Sequence, residues 1–195
     1  MGRLNEYQGQ SAGRSEDVPV LPALYLKRLH LISSNYCKSM ASYNSIMNDR
    51  IFEICSSFSN EVLKKDMGLF FRSIHKTLDH ILYGDIAWLL RFEGKENQVP
   101  EFNQLLYSDF IELTEQRKEW DAKIINWASS VNDAWLLRDI TYSSKVDGKQ
   151  RIKKAWLLAV HMFNHQTHHR GQLTTALNQI GYDCGVTDLP FLLAE

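Results

Sequence analysis

Proline places the tightest limit on this chain. Only four occur in 195 residues, Pro19, Pro22, Pro100 and Pro190, so residues 23–99 and 101–189 contain none. A proline inside a helix costs about 3 kcal/mol, because it lacks an N–H and its ring clashes with the preceding turn. Two proline-free stretches of this length permit long helices, and the apolar spacing decides whether they form.

The spacing predicts four helices. In a first, over 28–57, Leu31, Cys37, Met40, Tyr43, Ile51, Ile54 and Cys55 share a side, and Ser56, Ser57, Ser59 and Asn60 then break it. A second, over 61–92, carries Val62, Leu69, Phe70, Ile74, Leu78, Ile81, Leu82 and Trp88, and Glu93-Gly94 stops it before Pro100. A third, over 109–132, opens on the capping pair Asp109 and Glu112 and buries Phe110, Leu113, Trp120, Ile124 and Trp127. A fourth, over 150–180, ends at Gly181. Residues 135–146 mix β-branched and aromatic types ahead of Asp147-Gly148. They form a short hairpin, or else Asp147 and Gln150 cap the fourth helix. Residues 1–27 are polar, hold two prolines and read as an irregular N-terminal arm, leaving 28–195 as one domain. The expected fold is all-α, a helical bundle with a short hairpin or irregular excursion before the last long helix.

Charge narrows the partners. Lys and Arg total 22 against 23 Asp and Glu, a formal net charge of −1, which argues against a chain built to coat nucleic acid or anionic lipid. The first twenty residues lack an apolar core, and runs such as 155–160 fall far short of the roughly 20 residues that a membrane span needs. Cys37, Cys55 and Cys184 are odd in number and widely spaced, which fits unpaired thiols in a reducing compartment. The expectation is a cytoplasmic protein that binds neither nucleic acid nor membrane.

Histidine carries the chemistry. Of seven, four fall within nine residues: His161, His165, His168 and His169. On a helix, His161/His165 and His165/His169 each sit one turn apart on one face, and neutral imidazole is a common ligand for divalent metals. Two ligands from one helix rarely close a site, so a third would come from another helix. His30 lies near the arm. His80 shares a face with Leu69, Ser73, Thr77, Gly84 and Trp88, small and polar around it and bulky farther on; His75 lies about 140° away around the helix. From spacing alone, the histidine run reads equally as a metal site or as a solvated face. His165-Gln166-Thr167-His168-His169 reads H-Q-x-x-H, and an amide cannot replace the general-base glutamate of H-E-x-x-H proteases. No nucleophile elbow or phosphate-binding loop is present.

The segment 161–172, HMFNHQTHHRGQ, resembles the signature of the DinB family, part of the DinB/YfiT-like metalloenzyme superfamily. Tyr43-Asn44 with Met47-Asn48, the run Ser73 to Ile81 with Asp85 and Trp88-Leu89, and Thr187-Asp188-Leu189-Pro190 extend the resemblance over residues 30–193. It implies an up-down four-helix bundle, often a homodimer, with a divalent metal held by His80, His165 and His169. Zn²⁺ or Ni²⁺ leads, with Fe²⁺ and Mn²⁺ as alternatives. His161, His168, Trp88, Arg170 and Gln172 become candidates for the surrounding pocket, and Asp85 for orienting a ligand imidazole or capping a neighbouring backbone. The implied activity is thiol-dependent S-transfer to an electrophilic small molecule, with a low-molecular-weight thiol as cosubstrate. The competing readings are a hydrolase using metal-bound water and a stress-related metal-binding protein without turnover.

Overall fold

A computed structural model describes residues 32–193 apart from Asn103 and Val146. The predicted arm, His30 and the predicted start of the first helix lie outside the described residues. The described chain is mostly helical, with one small two-stranded antiparallel sheet.

Helix α1 spans Ser34–Ser56 and buries Cys37, Met40, Tyr43, Asn44, Met47, Asn48, Ile51, Phe52 and Cys55. Their spacing of three and four residues puts them on one stripe. The second predicted helix is broken in two. Helix α2 covers only Asn60–Lys64, and α3 begins at Ile74 and runs to Phe92. Between them Gly68 (φ 71°) and Arg72 (φ 70°) adopt left-handed backbone, which no α-helix accommodates. A tight turn results. The Met67 N–H donates to the Arg72 carbonyl, Arg72 N–H to Leu69, and the Asp66 carboxylate accepts from Gly68 N–H and from Arg72. Ser73 then caps α3 by accepting from Lys76 N–H at 3.2 Å. Leu69 and Phe70 consequently leave the helical stripe assigned to them for a loop, where Leu69 still packs against the core and Phe70 is exposed.

Of the 19 residues of α3, only Lys76 and His80 are not buried. A helix buried on nearly every side is central to the fold, and its polar residues His75, Thr77, Asp79, Asp85 and Arg91 are buried with the rest. Helix α4, Phe110–Ser130, starts at the predicted cap, where Asp109 accepts from the N–H groups of Ile111 and Glu112. A short α5, Asp133–Leu137, leads into strands β1, Asp139–Ser143, and β2, Gln150–Lys154. They pair antiparallel, with Asp139 opposite Lys154 and Ser143 opposite Gln150, and Gly148 (φ 67°) turns the chain between them. The hairpin reading of this region therefore holds, and Asp147 pairs with Arg151 instead of capping a helix. The last long helix, α6, begins at Ala155 rather than near 150 and ends at Gln179; Gly181 (φ 90°) follows it.

Helix α1 packs on α4 and α6, and α3 packs on the same two. One apolar cluster gathers Trp88, Phe92, Trp127 and Phe163; a second gathers Ile51, Leu82, Leu113 and Leu173. The core also holds a polar network. Arg117 Nη1 donates to Asp85 at 2.6 Å, Arg117 Nη2 lies 2.9 Å from Asp121, and Asn48 donates to Asp121 at 3.0 Å. The C-terminal segment crosses α1, held by Arg50 at the carbonyls of Cys184 and Val186 and by Tyr43 at that of Thr187, and ends in α7, Leu189–Leu192. The three cysteines are buried free thiols. Among the described residues, no helix is long and apolar enough to cross a membrane.

Candidate metal centre

His80 stands in the second turn of α3, on the one part of that helix that opens outward. His165 and His169 stand one turn apart on α6, which packs beside it. One ring nitrogen from each of the three lies within 4.8 Å of the other two, and Nε2 of His80 is 3.0 Å from Nε2 of His165. Two nitrogens bound tetrahedrally at the usual 2.0–2.1 Å would sit about 3.3 Å apart. The donor set and its spacing could hold a divalent ion.

Burial keeps these imidazoles in the form a metal requires. Loss of solvent, and secondarily the His169 ring, pull the His80 pKa down to about 4. The same effect, with the surrounding histidines adding to it, takes His165 to about 3. His169 is also lowered by burial, against an opposing push from its hydrogen bond to Gln172. Near neutral pH an uncharged imidazole keeps one ring nitrogen with a free lone pair, so binding needs at most a change of tautomer.

Neighbours fix the rings. Gly84, one turn beyond His80, permits the approach of His165. A Cβ at Gly84 would stand 2.8 Å from His165 Cε1 and 2.9 Å from its Nδ1. The Nδ1–H of His169 donates to Gln172 Oε1 at 3.0 Å, which leaves Nε2 unprotonated. Gln172 Nε2 in turn donates to His168 Nε2 at 3.3 Å. Phe71 stacks on His80 with centroids 3.8 Å apart and planes 25° from parallel. Phe71 sits on the loop between α2 and α3, so the break in the predicted second helix is what places an aromatic ring on a candidate ligand.

A cavity of about 460 Å³ opens beside the three histidines. His161 and His168 line it, with Trp88, Phe71, Phe102 and Tyr142 as aromatic walls. Trp88 meets His161 edge-on at 5.1 Å. Burial, and then the charge of Arg91, keep His161 below its usual pKa.

Two candidates are placed elsewhere. Asp85 is fully buried against Arg117, and its carboxylate serves the core network, not an imidazole. Arg170 is buried too, donating to Gln166 at 2.9 Å with its guanidinium 5.3 Å from the Tyr43 ring centre. His75 is a core histidine with Nε2 2.8 Å from the Tyr107 carbonyl and Nδ1 buried without a hydrogen-bond partner. Sequence reasoning missed Phe71, Arg91, Tyr142, Lys145 and Arg151. Arg91 alone had a signal, since it follows Trp88 by three residues on the His80 face. The others reach the cavity from loops and the hairpin.

The sequence profile of the DinB family matches residues 32–195. The protein DinB of Bacillus subtilis (strain 168) is 28% identical over 171 residues, covering 80% of this chain and 92% of that protein. A match running from the start of α1 through all three clustered histidines shows the descent: this chain belongs to the DinB family.

Proposed function

We propose that this protein is a divalent-metal-dependent enzyme that transfers a low-molecular-weight thiol to an electrophilic small molecule. Its scaffold is the up-down arrangement of α1, α3, α4 and α6 as a four-helix bundle, and His80, His165 and His169 are the metal ligands. The observation that carries the reading is three imidazoles converging beside an open cavity of about 460 Å³. Three protein ligands with space alongside are the pattern of a catalytic rather than a closed structural site.

A divalent ion held there would lower the pKa of a bound thiol. The residues of the chain do the rest. Gln172 holds the proton on His169 Nδ1 and so aims Nε2 at the ion. His161, neutral at pH 7, accepts the thiol proton on a ring nitrogen. The aromatic walls exclude water and orient the electrophile. Among the described lining residues there is no carboxylate. Deprotonation of the nucleophile therefore falls to the imidazoles of the cavity, His161 among them.

The test is metal analysis of the purified protein, followed by turnover of chlorodinitrobenzene with a panel of small thiols. Turnover that needs both thiol and metal supports the reading. Turnover with metal alone replaces it with the hydrolase, and protein that binds no metal removes it.

A further inference from the structure

The cavity has two unlike ends. His80, His165 and His169 form one. At the other, Arg91 on α3 reaches the β1–β2 hairpin at Tyr142 and Ser143, and the hairpin's Lys145 and Arg151 also line the cavity. Each of these cations is paired: Arg91 Nε lies 3.5 Å from Glu96, Lys145 3.0 Å from Glu101, and Arg151 2.7 Å from Asp147. None of the three carboxylates belongs to the lining. The lining thus carries the cationic member of each pair and not the anionic one, and a cleft lined by one sign of charge concentrates the opposite sign.

Arg91 is the best built of the three. It is 9% exposed, its Nη2 donates to the Ser143 carbonyl at 3.2 Å, and its guanidinium carbon lies 4.9 Å from the Trp88 ring centre and 5.4 Å from that of Tyr142. A guanidinium fixed by a carbonyl and two aromatic faces is preorganised, so it loses little entropy on taking a carboxylate. Arg91 follows Gly84, the seat of His165, by seven residues, which is about 10 Å along the helix. Trp88 and Tyr142 wall the space between.

From this arrangement we infer that the hairpin end of the cavity is a carboxylate subsite, anchored by Arg91, for a planar aromatic acid whose reactive end points to the histidines. The inference rests on the proposed function only for which end reacts. A bicyclic aromatic acid has the length and flatness that the two ends and the aromatic walls demand.

The experiment titrates metal-free full-length protein with 2-naphthoate and with its neutral methyl ester, following tryptophan fluorescence. The acid is expected to bind about tenfold more tightly than the ester. R91Q erases that preference, and K145Q reduces it about two- to threefold. K145Q alters an exposed hairpin residue and decides the matter should R91Q fail to fold. Equal binding of acid and ester overturns the subsite, as does acid binding that neither variant changes. Displacement of 2-naphthoate by glutathione, but not by glutathione diethyl ester, overturns the assignment to the aromatic substrate and gives the subsite to the thiol. Because binding is read without metal or turnover, failure of the transferase reading would leave this result standing.

Discussion

Gly84 and His165 occupy one space: the imidazole of His165 lies where a side chain at Gly84 would begin, with Cε1 2.8 Å from the Cβ position. Glycine costs about 1 kcal/mol relative to alanine inside a helix. Here that cost accompanies a ring laid directly on the backbone of α3. G84A should therefore separate folding from the site. We expect the metal-free variant to melt at or above the wild-type temperature, because the ring can rotate away. Metal affinity should fall at least about tenfold, read by chelator competition.

The candidate ligand set predicts a sharp division among the histidines. H80A, H165A and H169A should each lose stoichiometric metal, whereas H161A and H168A should retain it. Elemental analysis of the folded variants decides this. Metal content unchanged in any of the first three would remove that residue from the set.

Gln172 predicts a graded effect. Q172L removes the acceptor of the His169 Nδ1–H bond and lets the ring rotate and change tautomer. Loss of such an outer partner typically weakens metal affinity about 10- to 100-fold. Q172E keeps an acceptor and should hold affinity near the wild-type value. Equal loss in both variants would point to packing instead.

Acid should destabilise the metal-free protein through the same histidines. The folded pKa values are about 4 for His80 and about 3 for His165, below the usual value of 6.5. Between those limits the unfolded chain binds more protons. Their contribution is complete above about pH 6.5 and is lost as pH falls toward 4 and 3. Urea unfolding of wild type and H165A across this range should show the variant gaining on the wild type below about pH 6.5. A difference independent of pH would exclude the mechanism.

The Asp85–Arg117 pair should matter to stability and not to the metal. Both side chains are almost wholly buried, and D85A leaves a guanidinium partly uncompensated in the core. Breaking a buried pair from one side costs about 3–5 kcal/mol, and Asp121, still beside Arg117, places the expectation at the lower end. Urea denaturation measures the loss. Folded D85A should bind metal with unchanged stoichiometry.

Wherever a property depends on neighbours along the chain, it was legible in the residues themselves. The stripes of α1 and α4, the Asp109 cap, the Gly181 stop and the His165/His169 spacing all follow from a repeat of three to four residues, which sequence displays directly. His80 was legible as well, through its small neighbours Thr77 and Gly84 and through the family resemblance. The break at 65–73 was not, because Leu69 and Phe70 happen to continue the apolar stripe of α3 while Gly68 and Arg72 take left-handed backbone. Nor was the fate of Asp85. Its residue type suits an imidazole or a guanidinium equally, and only the packing of α4 against α3 delivers Arg117 to it. The cationic end of the cavity is likewise a tertiary product. Arg91 and Arg151 lie sixty residues apart, and the twist of a short hairpin over α3 decides that they face the same space. Local repeats encode which face of an element is apolar; what that face meets is settled by long-range contacts, whose energies no single segment contains.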